Sequence, residues 1–123
     1  MWRALLMVGL GGAFGSIARY AIGLLITKSS QHQFPWATFT VNMVGCFIIG
    51  LLWGLAQRHQ WAQGPLWLLL ATGFCGGFTT FSTFALKNVE LFGKNQSLTS
   101  FAYIIFSVVI GLALCRVGAW IVR

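Results

Sequence analysis

Residues 36–56 read Trp-Ala-Thr-Phe-Thr-Val-Asn-Met-Val-Gly-Cys-Phe-Ile-Ile-Gly-Leu-Leu-Trp-Gly-Leu-Ala, without one charged side chain. That length matches the ~20 apolar residues an α-helix needs to cross a bilayer core. Three more such runs lie around it. Residues 4–26 form the first, interrupted only by Arg19. It exceeds the apolar region of a secretory leader and shows no convincing cleavage site, so it reads as a membrane span. The third opens at Pro65, a favourable first-turn residue, runs to about residue 86 and becomes amphipathic through residue 92. The fourth covers residues 100–122. Polar segments 27–33, 57–64 and 93–99 separate them, and Trp2, Trp36, Trp61, Trp67 and Trp120 fall near predicted span ends, where an aromatic belt belongs.

Composition agrees. The chain is 58% hydrophobic and 7% charged, with mean hydropathy +0.82. Water-soluble domains run nearer half apolar and a quarter charged, and four spans leave no room for one. The expected architecture is therefore a single all-α membrane unit over residues 1–123, multi-pass, with four transmembrane helices. Eight Lys and Arg against one acidic residue is a balance that nucleic-acid binders share, but the cations are scattered singly and form no stripe along which to track phosphates. At helix ends they suit membrane lipid headgroups instead. Cys46, Cys75 and Cys115 lie inside apolar spans without a CxxC, which fits free core thiols rather than a disulfide framework or zinc site. Four helices are few for a pore or carrier, so an oligomer is expected. Gly11 with Gly15, Gly50 with Gly54 and Gly73 with Gly77 have the four-residue spacing of close helix contacts.

The least ordinary stretch is Gly73-Phe-Cys-Gly-Gly-Phe-Thr-Thr-Phe-Ser-Thr-Phe84. Gly76, Gly77 and the β-branched Thr79, Thr80 and Thr83 are poor helix formers. Clustered at mid-span, they predict a helix that breaks near the bilayer centre, where a bound cation would satisfy the freed carbonyls. A kinked helix whose hydroxyls bond back to their own carbonyls is the other reading. Phe78, Phe81 and Phe84 recur every three residues, as one face of a helix does. Such a stripe serves as packing, or its electropositive ring edges face a small anion.

Asn42 lies in the middle of the uncharged span, as interhelical glue or as an amide with two donors for an anion. Arg19 is costly in a bilayer and either snorkels to the interface or serves a function. Tyr103 and Ser107, four apart on span four, offer hydroxyls for a polar track or for ordinary helix–helix bonds. Glu90, three from Lys87 and four from Lys94, reads as a surface ion-pair residue. His32 and His59 lack metal-ligand spacing, and no nucleophile has an evident base. No enzyme is expected.

Gly11-Gly-Ala-Phe-Gly-Ser-Ile-Ala-Arg-Tyr20, Thr40-Val-Asn-Met-Val-Gly45 and the stretch from Gly73 to Phe84 together resemble the CrcB/Fluc fluoride channel family. The resemblance extends over nearly the whole chain. It implies a fluoride-selective channel in the inner or plasma membrane that lets fluoride leave a microbial cell and so protects it from fluoride toxicity. It implies antiparallel, dual-topology homodimers with two pores and a central structural sodium ion. By motif match, Asn42 would donate to fluoride, and Phe81 and Phe84 would present ring edges. Gly76 and Thr79 would give main-chain carbonyls to sodium, and Arg19 would sit by an aqueous vestibule. Ser82 and Thr83 would join a polar track, with Tyr103 and Ser107 assigned to the same track. One departure is Lys87, where the family often has glutamate.

Two other classes compete. A small proton-coupled multidrug carrier needs a membrane-embedded glutamate, and span one has none. A non-transporting assembly subunit would have no use for a polar track through a broken helix. Charge counting is independent of any resemblance. Four spans put Arg3, Arg58, Arg116 and Arg123 on one side and Arg19, Lys28, Lys87 and Lys94 on the other. Lys/Arg bias sets orientation. Here it is near zero, so the chain is expected to insert both ways.

Overall fold

The computed structural model describes residues 1–29, 33–61 and 64–122. His32, Arg123 and the side chain of Lys28 lie outside the described residues. Among those described, the regular structure is entirely helical. α1 (Trp2–Ser29, 28 residues) and α2 (Trp36–His59, 24 residues) are uninterrupted. At 1.5 Å per residue they measure about 42 and 36 Å, more than a ~30 Å hydrocarbon core. The third apolar segment, Pro65–Gly93, is composite. It comprises α3 (Pro65–Trp67), a π-helical stretch Leu68–Cys75, α4 (Gly76–Phe78) and α5 (Phe81–Gly93). α6 (Ser97–Ile121) is the fourth. All four are long and apolar enough to cross a membrane.

Local chemistry accounts for several boundaries. Gly64 is extended and Pro65 takes the first helical position, where its missing N–H costs nothing. α2 ends at Gln60, which adopts the left-handed conformation with φ 60° and returns its N–H to the Ala56 carbonyl. In the π-helical stretch the Gly76 N–H reaches back five residues to Ala71. Thr79 (φ −90°, ψ 160°) and Thr80 (φ −150°, ψ 122°) are extended, and α-helical geometry resumes at Phe81. Thr80 is the N-cap of α5, its hydroxyl accepting the Thr83 N–H at 3.2 Å.

Packing is interleaved. α1 lies against the π-helical stretch and α4, whereas α2 packs along α6. Backbone meets backbone in both pairs. A side chain at Gly15 would run into the Phe74 carbonyl, and one at Gly50 into the Cys115 carbonyl. With little hydrophobic drive between helices in lipid, such close approach supplies the van der Waals contact that joins them. Much of the remaining helix surface is apolar: Leu6, Phe14 and Ile17 of α1, and Phe101, Ile105 and Leu112 of α6, are exposed. In water that would be a liability; against acyl chains it is the expected outer face.

The Phe stripe is not one face. The extended pair Thr79–Thr80 falls between Phe78 and Phe81 and resets the helical phase. Phe78 is buried and stacks on Phe74 at 5.6 Å, while Phe81 is 80% exposed.

Candidate functional site

The site is organised around the extended pair. Asn42, two turns into α2, grips Thr80 with both ends of its amide. Nδ2 donates to the Thr80 carbonyl at 3.1 Å and Oδ1 accepts the Thr80 N–H at 2.9 Å. The amide thereby does what a neighbouring strand would do for an extended residue, and satisfies two backbone groups that lipid cannot. One Nδ2 proton remains free of that grip. Thr79 turns its hydroxyl back to the Cys75 carbonyl at 2.9 Å. From α1, the Arg19 Nε donates to the Gly77 carbonyl at 3.0 Å. Arg19 therefore reaches inward to the end of α4 rather than snorkelling outward.

These bonds divert donors from two carbonyls. In a continuous α-helix Gly76 C=O would accept from Thr80 N–H, and Thr79 C=O from Thr83 N–H. Here the first donor goes to Asn42 and the second to the Thr80 hydroxyl. Gly76 is also exposed, with open space where a side chain would start. The residues fit a site for a hard cation taking main-chain oxygens.

A groove of about 440 Å³ runs beside the pair. Asn42, Gly76, Thr79, Phe81, Phe84 and Ser107 all line it, and no charged side chain does. Tyr103, fully buried, backs the groove with its ring centroid 4.9 Å from that of Phe84. The Tyr103 and Ser107 hydroxyl oxygens are buried without a hydrogen-bond partner among the described residues. A second groove, about 240 Å³, opens on the Arg19 side and includes Thr83. Thr80 borders both grooves. Ser82 lines neither; it is exposed, 3.3 Å from the Thr80 hydroxyl.

Residues 6–119 match the family described as "CrcB-like protein, Camphor Resistance (CrcB)". The chain belongs to the CrcB family. Among its relatives is a "Fluoride-specific ion channel FluC" of Gloeothece citriformis, 47% identical over 97% of this chain and 96% of the relative. Proteins of the same name from Methylobacillus flagellatus (43% identical, 96% and 93% covered) and Azobacteroides pseudotrichonymphae (39%, 96% and 94%) are also similar.

Within this CrcB chain, the structure brings most sequence-predicted residues to one groove, sets Arg19 and Thr83 at the second, and leaves Ser82 outside both. Sequence reasoning named Thr80 only as one of the helix-breaking residues and gave it no role in the site. Its signal was faint: a threonine three residues before another hydroxyl residue at a helix start. It also missed Asn88 and Ser100, whose side chains meet in the interior. Ser100 Oγ donates to Asn88 Oδ1 at 2.7 Å, and Asn88 Nδ2 donates to the Phe84 carbonyl at 2.9 Å. That bridge ties α5 to α6 next to the Phe84–Tyr103 ring pair.

The ion pair expected from spacing is present: Lys87 Nζ lies 3.5 Å from Glu90 Oε2, with the two side chains 41% and 44% exposed. Solvent and headgroups screen such a pair, so Lys87→Gln should shift stability by less than about 0.5 kcal/mol. Thermal melting of the purified variant in detergent checks this; a loss several times larger would show that Lys87 does more than pair.

Proposed function

We propose that this chain is a fluoride channel, passing the ion down its gradient and out of the cell. The names of its relatives point to that ion. The observation that carries the reading is the pair of buried, unpartnered hydroxyls, Tyr103 and Ser107, beside Asn42 and two phenylalanines. Buried polar groups are almost always bonded, so such orphans call for an occupant. Fluoride is small and strongly hydrated, and a pore must replace its water with donors while binding weakly enough to release it. Hydroxyls, one amide proton and the electropositive edges of Phe81 and Phe84 supply partial positive charge without a full cation to trap the ion. Arg19, the cation that lines a groove with Thr80, is directed to the Gly77 carbonyl.

The third span is discontinuous at Thr79–Thr80, and the break serves a sodium ion through the carbonyls of Gly76 and Thr79. The working unit is an antiparallel homodimer with two pores, each copy inserted in the opposite sense. Support comes from the near-zero Lys/Arg bias and from the exposure of Phe81 and Gly76 at mid-chain. A second copy would cover both. A two-fold axis through Gly76 would bring four carbonyls together. A proton-coupled carrier is disfavoured because the sole acidic side chain, Glu90, is held by Lys87 on an exposed stretch of α5.

Liposomes containing only the purified protein test the function. Fluoride should leave passively, and chloride at least about 100-fold more slowly, a difference of roughly 2.7 kcal/mol in barrier. Equal rates for the two anions would sink the assignment.

A further inference from the structure

At the other end of α2 and α6 lies a groove of about 480 Å³ that shares no lining residue with either of the two grooves bordered by Thr80. Two i,i+4 pairs face each other across it. α2 contributes Trp53 and Gln57, α6 contributes Arg116 and Trp120, and Arg58 closes the end. Four-residue spacing puts each pair on one helix face. Small residues, Gly54 and Ala119, form the floor, where the two helices touch backbone to backbone.

The electrostatics of this groove are unbalanced. Arg58 and Arg116 are both exposed, and neither has a hydrogen-bond or ion-pair partner among the described residues. The only acidic side chain in the sequence, Glu90, is paired with Lys87 on α5. Both arginines lie near helix C-termini, each worth about half a negative charge. Two full guanidinium charges outweigh the two helix ends by about one unit. Arg116 also sits five residues inside the end of α6, roughly 7.5 Å deep along the axis, where an unpaired cation is costly. An anion from outside the chain is the missing partner.

We propose that this groove is a binding site for the headgroup of an anionic phospholipid. Guanidinium forks match phosphate oxygens bidentately. Basic pockets between transmembrane helices hold such headgroups. Trp53 and Trp120 flank the phosphate at the interfacial level that indole rings favour, and their exposed faces lie along the emerging acyl chains. Free inorganic phosphate would satisfy the arginines but make no use of the two indoles, so the lipid is the occupant.

Native mass spectrometry of the full-length protein, released from detergent with equal amounts of phosphatidylglycerol and phosphatidylcholine, tests this. Phosphatidylglycerol should be retained at least tenfold over phosphatidylcholine. Arg58→Gln and Arg116→Gln should each reduce that preference several-fold, and the double variant should abolish it. Lys94→Gln, at the opposite end, should leave it intact. Equal retention of the two lipids by the wild type would overturn the proposal, as would an undiminished preference in both single variants. Displacement of phosphatidylglycerol by millimolar inorganic phosphate would also overturn it, making the site one for the free ion. The readout is lipid retention, so it stands or falls separately from fluoride flux.

Discussion

Asn42→Asp should cut fluoride flux by about 100-fold or more, although it changes neither the size nor the shape of the side chain. One carboxylate oxygen still accepts the Thr80 N–H. The other replaces Nδ2 and faces the Thr80 carbonyl oxygen across what is now a 3.1 Å hydrogen bond, turning attraction into repulsion. A lost bond plus a buried carbonyl left unmet costs on the order of 1–3 kcal/mol. The groove loses its free amide proton and gains a negative charge that repels an anion. Two factors of ten correspond to about 2.7 kcal/mol of barrier, supplied by the lost donor and the added repulsion rather than by the stability cost. Asn42→Ala removes the grip without adding charge and should fall between the wild type and Asn42→Asp. A fluoride electrode outside liposomes measures all three. Wild-type flux in Asn42→Asp would remove Asn42 from the pathway and leave it as a brace for Thr80.

The second large effect is expected at the rings. Phe81→Ile and Phe84→Ile each keep an apolar, nearly filling side chain and discard the quadrupole. Flux should drop at least tenfold in each and further in the double variant. Stability should suffer much less. Phe84 loses its contact with Tyr103 and with Phe81, whose centroid is 5.7 Å away, and each aromatic pair is worth about 0.5–1.5 kcal/mol beyond area. Phe81, 80% exposed, loses only its pair with Phe84 within one chain. Melting temperature and flux should therefore separate. If they fall together in both single variants, the rings are packing and nothing more.

The four spans were legible because a bilayer imposes a single length and polarity on every crossing helix, and residues 36–56 display both without a charge to blur them. Glu90 with Lys87 was legible because helical spacing alone brings them together. Asn42 stood out as the polar residue in an apolar run, but its partner did not. Sequence offers Thr80 only as one of three β-branched neighbours. Its importance arises 38 residues away in the chain, where α2 crosses the third span. The Phe stripe misled for the same reason. A three-residue interval marks one face only while the helix is continuous, and two extended residues shift the phase. Arg19 and Gly77 are likewise a tertiary fact, 58 residues apart, that no local pattern encodes.

The interleaved packing has a consequence for how the molecule is made. α1 finds its main neighbour in the π-helical stretch and α4, and α2 finds its own in α6. Each of the first two helices thus emerges from the ribosome about 60 residues ahead of its partner, or several seconds at ordinary elongation rates. During that interval each must rest in the lipid without its main partner, and both are long and apolar enough to do so. It also means that a cut at Gly64 would yield two hairpins with neither principal interface. Such halves would be inserted proteins waiting for each other, and reassembly in the membrane, rather than folding of either half, would restore the groove between Asn42 and Phe84.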